Sequence, residues 1–157
     1  MFGGLVYARE RRAAGAWREA EAAYRAELRD PGLAAPAAVR GELALVQEQL
    51  GKVREAEASL RWALRHASEG RAGIAYNLGS LYERHERWAL AGRLFRRALA
   101  LTPPEDAAHL GGCHFHLGEI ALATGDEAGA RLQFASALAA LPTHGKARAR
   151  LDALVTP

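Results

Sequence analysis

The sequence contains an internal repeat, which limits the folds available to it. Four segments align in one frame, with separations of 36, 35 and 39 residues between successive copies. The small residue of each copy is Ala20, Ala56, Ala91 or Ala130. The large apolar residue four positions later is Tyr24, Leu60, Phe95 or Phe134. A period of this length predicts stacked units, each too small to bury its own apolar face.

Composition indicates that these units are helical. The chain has 36 Ala and 22 Leu among its 157 residues, but only 11 Val, Ile and Thr together. Small and unbranched side chains lose less freedom in a helix than β-branched ones do. All 6 prolines lie between the apolar-periodic stretches or at the chain's end, where they do not interrupt a helix. We therefore predict an all-α fold with two amphipathic helices in each copy.

The repeated residues resemble those of the tetratricopeptide repeat (TPR) family. That family's pattern is W-x2-L-G-x2-Y followed by A-x3-F-x2-A and P, over 34 residues. The third copy matches best, with Leu78, Gly79, Tyr82, Ala91, Phe95, Ala98 and Pro103. The fourth copy keeps Leu117, Gly118, Ala130, Phe134, Ala137 and Pro142. The second has Leu43-Ala44 and the first Tyr7-Ala8 in place of Leu-Gly.

The frame predicts four repeats and one further helix within a single domain, 1–157. The repeats are placed at 1–34, 37–70, 72–105 and 111–144, and the last helix at about 145–155. Thr143 is its predicted N-cap, and its apolar side carries Ala147, Leu151, Leu154 and Val155. The resemblance implies a right-handed α-solenoid of four TPR-like helix pairs, which this helix caps.

The resemblance also implies a role, since TPR proteins bind peptides or proteins in a concave groove lined by the first helix of each pair. We therefore expect a non-catalytic scaffold or adaptor. Helical spacing selects the candidate groove residues. They are Arg9, Arg12, Glu42, Leu45, Glu48, Tyr76, Asn77, Ser80, Glu83, Phe115, His116, Glu119 and Leu122.

The candidate groove residues predict a partner with apolar and basic residues. Its apolar anchors would meet Leu45, Tyr76, Phe115 and Leu122, and its basic residues would meet Glu48, Glu83 and Glu119. The alternative is that these are ordinary solvated helix residues. The family's clamp for a terminal carboxylate is missing, because Gly41, Leu45, Gly112 and His116 stand where Lys, Asn, Lys and Arg are needed.

The fourth copy contains a cluster of His109, Cys113, His114 and His116. His109 and Cys113 are four residues apart, a spacing that suits two zinc ligands on one helix face. However, the frame puts His109 in a five-residue insertion before the fourth copy, and His114 takes the place of the motif's Trp and is expected to pack. With one Cys and no H-E-x-x-H, we predict no metal site. No catalytic motif or cofactor fingerprint is present either.

Charge argues against specific nucleic-acid binding. The net charge is only +3, and several of the 19 arginines have an acid four residues before them. Expected pairs of this kind are Glu21–Arg25, Glu57–Arg61 and Glu127–Arg131. With one Cys, no signal-peptide pattern and no apolar run of ~20 residues, the prediction is a cytoplasmic protein without a membrane span.

Two alternatives to the adaptor stay open. The first repeat starts at once with apolar residues, including Phe2 and Leu5, and has no cap of its own. Either a further segment precedes it, or this end contacts another copy and the chain forms homo-oligomers. The other alternative is an accessory domain of a larger enzyme or regulator.

Overall fold

A computed structural model describes residues 4–155, and these form nine α-helices with no strand. The helices are α1 Leu5–Ala13, α2 Trp17–Glu27, α3 Pro36–Gln49, α4 Val53–His66, α5 Arg71–Arg84, α6 Trp88–Leu101, α7 Ala107–Ala123, α8 Glu127–Ala140 and α9 Gly145–Val155. Each predicted repeat therefore contains a helix pair, and α9 occupies the span predicted for the last helix.

The chain divides into two compact units, Met1–Ile74 and Ala75–Pro157. In the first unit α1 packs on α2, α2 on α3, and α3 on α4. In the second unit α6 packs on α7, α7 on α8, and α8 on α9. Helix α5 begins in the first unit and continues in the second. The single domain and the right-handed twist stay predictions.

The four turns between paired helices share one backbone geometry. In the second pair, the amide of Gly51 donates to the carbonyl of Glu48 at 2.9 Å, and the amide of Lys52 donates to that of Gln47 at 2.8 Å. The other three turns repeat both bonds. This helix-ending pattern needs one residue with positive φ, which favours glycine. The third turn instead has Glu86, at φ 56°, the one non-glycine with positive φ among residues 4–155.

The core of the first unit joins three helices. Ala8 of α1, Ala20 and Tyr24 of α2, and Val39 of α3 are all at most 1% exposed. The small residues let neighbouring helices approach closely, and the tyrosine ring fills the space beside them. The repeated small and large positions found in the sequence are therefore core positions.

The second unit uses the same design with glycine at the closest approaches. A Cβ on Gly79 would lie 3.2 Å from the ring of Phe95, and one on Gly118 would lie 2.5 Å from that of Phe134. Both phenylalanines are fully buried. In the third and fourth repeats, the ring of the same pair's second helix therefore leaves little or no room for a side chain at this glycine.

Three local predictions need correction. Helix α7 begins at Ala107, so His109 is helical; the carboxylate of Asp106 caps the helix and accepts from the His109 amide at 3.0 Å. At α9, His144 rather than Thr143 provides the cap, because its Nδ1 accepts from the Ala147 amide at 3.2 Å. Val155 is 69% exposed and does not belong to the packed side of α9.

The three predicted ion pairs along helices are confirmed. The distances are 3.0 Å for Arg25–Glu21, 3.5 Å for Arg61–Glu57 and 2.6 Å for Arg131–Glu127. Within residues 4–155, every helix is too short or too polar to cross a membrane.

Candidate functional site

In the first unit, the candidate residues Arg9 and Arg12 meet a carboxylate of α3. The Arg9 guanidinium donates to Glu42 through Nε at 3.0 Å and through a terminal nitrogen at 2.6 Å. Arg12 lies 3.9 Å from the same carboxylate. The Tyr24 hydroxyl of α2 donates to Glu42 Oε2 at 2.8 Å. One carboxylate therefore ties three helices together.

This contact shifts the proton affinities of its members. Burial alone would raise the pKa of Glu42, but the hydrogen bonds from Arg9 and Tyr24 and the two arginine charges outweigh it, and the pKa is lowered. Burial, together with the neighbouring Glu42, raises the pKa of Tyr24 to about 12. At neutral pH the carboxylate is charged and the phenol is neutral. Arg9 and Glu42 thus neutralise each other.

Leu45 and Glu48 continue along α3 in the same unit. Both are half-buried. The predicted N-terminal contact residue Phe2 lies outside the described residues.

In the second unit, the candidate residues Tyr76 and His116 form the centre of a ring network. The His116 imidazole stacks on the buried ring of Phe95, with centroids 4.7 Å apart and planes within 4°. Its Nε2 lies 2.8 Å from the Tyr76 hydroxyl. The Tyr76 ring also packs edge-on against Phe95 and lies 5.0 Å from the His109 ring. Tyr76 is therefore held from several sides while remaining half-buried.

Glu83 lies beside this network on α5. Its carboxylate is 2.6 Å from Nδ1 of His116, although the direction is not that of a hydrogen bond. The contact is therefore an ion pair when the imidazole is protonated. Burial raises the pKa of Tyr76, and the nearby Cys113 and Glu83 add to the shift. The tyrosine stays neutral and able to donate at physiological pH.

Asn77 and Ser80 are the remaining candidates on α5. Asn77 is half-buried, and its side-chain amide makes no hydrogen bond to another residue of the described range. Ser80 is only 8% exposed. The asparagine is thus available to a partner. The serine would become available only if its surroundings moved.

The candidates on α7 are tied to α8 and α9. Glu119 forms an ion pair with Arg150: a terminal nitrogen of the guanidinium donates to Oε2 at 2.8 Å, and Nε lies 2.8 Å from Oε1. Phe115 and Leu122 pack against the core around Phe134, and Phe115 also stacks on His144 at 5.1 Å. Glu119 is therefore neutralised from within the unit, and Phe115 and Leu122 offer only part of their surface.

His109 and Cys113, whose spacing suits zinc ligands, do not belong to a ligand cluster. No group of three His, Cys, Asp or Glu side chains in residues 4–155 is arranged to hold a metal ion. Cys113 is fully buried, and burial with the nearby Asp106 raises the pKa of its thiol to about 12. A protonated, inaccessible thiol is a poor nucleophile and metal ligand.

Comparison with known structures identifies the fold. The chain superposes on MamA with a TM-score of 0.78 at 19% identity, over 98% of this chain and 84% of that one. A tetratricopeptide repeat protein from Parabacteroides merdae gives a TM-score of 0.77 at 22% identity, over 94% of this chain and 56% of that one. The chain has the TPR fold. No family model and no curated protein matches its sequence.

A third TPR structure contains a ligand. It is the first TPR of Spaghetti (RPAP3) bound to the HSP90 peptide SRMEEVD, with a TM-score of 0.65 at 20% identity, over 75% of this chain and 89% of that one. At such identities, the similarity establishes the TPR fold of this chain and leaves its ligand to be argued from its own residues.

Sequence reasoning missed the residues that restrain the candidates within each TPR unit. The Tyr24 hydroxyl donates to Glu42, and Arg150 pairs with Glu119. The Phe95 ring stacks on His116, and the His144 ring stacks on Phe115. Of these, Tyr24 and Phe95 had a sequence signal, as large residues of the repeat frame. Arg150 and His144 had none, because their contacts depend on how α9 packs against the preceding helices.

Proposed function

We propose that this chain is a non-catalytic interaction module that binds an extended segment of another protein on the first helices of its second unit. The main observation in support is a pair of neighbours on α5. Tyr76 offers a half-buried ring whose orientation is restrained by His116, Phe95 and His109. Asn77 offers an amide without a partner in the described range.

These two side chains suit peptide recognition for complementary reasons. A ring that is already restrained loses little entropy on binding, so an apolar side chain packed on it contributes efficiently. A free asparagine amide both donates and accepts, which matches the alternating groups of a peptide backbone. Phe115 extends the apolar surface where its ring is not covered by the core.

The predicted preference for basic residues is the finer part of the proposal. Glu83 already contacts His116, and Glu119 already pairs with Arg150. A basic residue of the partner has to share or displace these contacts. We therefore propose apolar anchoring as the main contribution to affinity, with basic residues contributing less.

The test is selection of random linear peptides on the purified chain, followed by affinity measurements with an enriched peptide. We expect Tyr76→Ala to weaken binding by ~10-fold or more, as for a central aromatic contact, and Asn77→Ala to weaken it by several-fold. The matched control is Arg96→Ala, an exposed change on α6 that should leave this peptide's affinity unchanged. Thermal unfolding of each variant checks that loss of binding is not loss of structure.

Two outcomes would contradict the proposal. One is that no peptide is enriched above a blank surface. The other is that enriched peptides bind the Tyr76→Ala variant as tightly as the parent chain. Absence of Lys and Arg from the enriched peptides would remove only the basic preference.

In the first unit, we propose a separate partner contact at Leu45 and Glu48. Both are half-buried on α3, where Leu45 would receive an apolar side chain. In a separate selection on the Tyr76→Ala variant, Leu45→Glu should then weaken binding of an enriched peptide, while an unchanged affinity would contradict this proposal.

Self-association is the second candidate function, and Val6 favours it. This residue of α1 is 71% exposed, so an apolar side chain is available beside the predicted contact Leu5. Light scattering should then give a mass above that of one chain, and Val6→Glu should restore the single-chain mass. A single-chain mass at all accessible concentrations would contradict this alternative.

A further inference from the structure

A second concave surface lies on other helices of the second unit. It is a pocket of about 330 Å³ between α6, α7 and α8. Its apolar lining comes from Leu99 of α6 and from Leu117, Ile120 and Ala121 of α7. The proposed peptide contacts Tyr76, Asn77 and Phe115 do not line it, so the pocket is a distinct surface.

The pocket coincides with one departure from the repeat. Ala121 follows Gly118 by three positions, as Tyr82 follows Gly79. The same position holds Arg11 and Gln47 in the first two repeats. In each repeat the backbone carbonyl of this residue accepts the same turn hydrogen bond: from Ala16 to Arg11, from Lys52 to Gln47, from Arg87 to Tyr82, and from Asp126 to Ala121. The four positions are therefore structurally equivalent, and only the fourth has a small side chain.

The consequence is open space beside Ala121, where the third repeat has a ring. Tyr82 fills its own site in the third repeat and is only 6% exposed. Ala121 supplies a single methyl group at the equivalent place, and the apolar residues around it remain in contact with the pocket. Protein interiors are packed densely, so an aromatic side chain supplied from outside would complete this packing.

The charges at the pocket's rim indicate which residues should flank the aromatic side chain of a partner. Arg96 lines the pocket, and with Arg93 and Arg97 on the same helix it makes no ion pair within the described residues. The one acid of the lining, Asp126, caps α8 by accepting from the Gly129 amide at 2.8 Å. Its charge is offset there by the helix N-terminus. The uncompensated charge at the rim is therefore positive.

A polar group completes the site. The side-chain oxygen of Gln133 lies 2.9 Å from Nδ1 of His114, which directs the glutamine amide. The amide nitrogen has no hydrogen-bond partner within residues 4–155. It is available as a donor to a carbonyl or hydroxyl of a ligand.

We propose that this pocket binds an aromatic side chain of a protein segment whose neighbouring residues are acidic. The ring occupies the volume beside Ala121, and a neighbouring carboxylate of the partner pairs with Arg96 at the rim. This site is independent of the peptide surface around Tyr76, and the two can be tested separately.

The probe is the blocked pentapeptide Asp-Asp-Phe-Asp-Asp, titrated into the full chain while backbone amide resonances are recorded. Two matched peptides replace Phe by Ala, or all four Asp by Lys. We expect shifts at the Thr124 and Gly129 amides, which border the pocket. Loss of the ring should weaken binding by ~10-fold or more, since a buried phenylalanine accounts for an effect of this size, and reversal of the charges should weaken it further.

Variants of the chain separate the site from general charge attraction. Ala121→Tyr restores the side chain of the third repeat and should abolish probe binding by filling the pocket. Arg96→Glu, an exposed change, should weaken binding by several-fold even if the first variant folds poorly. Arg148→Glu makes the same charge change on α9 and should have little effect, as should Tyr76→Ala.

Binding that needs the ring, is lost in Ala121→Tyr and is weakened in Arg96→Glu but not in Arg148→Glu supports the proposal. It is overturned if the Phe probe does not bind, if the Phe and Ala probes bind equally, or if the Lys-flanked probe binds more tightly. Binding unchanged in Ala121→Tyr likewise overturns it. None of these results depends on whether the surface around Tyr76 binds peptides.

Discussion

Tyr24 in the first unit and Phe134 in the second occupy the same place in the repeat, yet they organise their surroundings differently. Both rings are fully buried. The Tyr24 hydroxyl needs a partner and donates to Glu42, which in turn binds Arg9. Phe134 has no polar atom; its ring lies 5.8 Å from that of Phe115 and covers Gly118. One oxygen atom therefore distinguishes a polar network from an apolar one.

The difference extends beyond this position. In the first unit, Lys52 binds the buried carboxylate of Glu21 at 2.7 Å, and buried Ser59 donates to Gln47 at 2.8 Å. In the second unit, rings follow one another through Tyr76, His116 and Phe115. One repeat frame therefore accommodates either buried hydrogen-bonded groups or a series of packed rings. We expect the first unit to respond to pH and the second to changes in side-chain volume.

The largest expected effect comes from deleting a ring in the second unit. Phe134→Ala should lower the free energy of unfolding by ~3–5 kcal/mol, because the removed ring leaves a cavity. Denaturant unfolding measures the loss, and residue-resolved hydrogen exchange shows where protection falls. We expect the strongest loss in α7, α8 and α9. A cost below about 1 kcal/mol would mean that the ring network does not carry the stability of this unit.

A methyl group added under the same ring should have the next largest effect. Gly118→Ala places a Cβ 2.5 Å from the Phe134 ring and should cost ~1–3 kcal/mol through overpacking. Gly79→Ala is the matched control, since its Cβ would lie 3.2 Å from the Phe95 ring rather than 2.5 Å. It should cost less. Thermal unfolding of both variants measures the two costs. A larger cost for Gly79→Ala than for Gly118→Ala would show that local freedom of the ring outweighs these distances.

In the first unit, Tyr24→Phe keeps the ring and removes the hydroxyl. It should cost about 1.5 kcal/mol at neutral pH, as for a hydrogen bond to a charged group. The lowered pKa of Glu42 stabilises the fold above the group's ordinary value of 4.5, and this contribution is lost as the pH falls through the folded-state pKa. The cost of the substitution should therefore shrink in acid.

Denaturant unfolding between neutral pH and about pH 3 measures this dependence. Phe95→Leu, in the second unit, is the control whose cost should not follow the ionisation of Glu42. A constant cost for Tyr24→Phe over this range would break the proposed contrast between the two units.

The smallest effect concerns the turns, which have the same geometry in both units. Glu86→Gly should stabilise the chain by ~0.5–1 kcal/mol, because glycine adopts positive φ without the strain of a side chain. Gly51→Ala, at the equivalent turn of the first unit, should destabilise it by a similar amount. Thermal unfolding tests both variants. A change of stability in the same direction for both would show that the turns are not equivalent.

Much of the fold could be predicted because it depends on local periodicity. The repeat frame placed Tyr24, Phe95 and Phe134 in the core, and α9 occupies the predicted span. The start of α7 was missed, because the cap at Asp106 lies outside the motif. The His144 cap was missed because a histidine rarely serves in that role.

The candidate site was less predictable from sequence. Helical spacing grouped Tyr76, Glu83, His116 and Glu119 on first helices, but it did not reveal what each one touches. The pairing of Glu119 with Arg150 neutralises one of the negative charges that the sequence alone attributed to this surface, and Glu83 already contacts His116. The pocket beside Ala121 was not foreseen, since an alanine in a helix has no distinctive pattern.

The helical class, the repeat and the core positions follow from the sequence alone, since they depend on spacing along one chain. Helix packing determines which charges are neutralised, which rings restrain Tyr76, and where a missing side chain leaves a pocket. These properties depend on atoms that are far apart in sequence and meet only after the helices have packed. Pair contacts of this kind carry no signature in a single sequence.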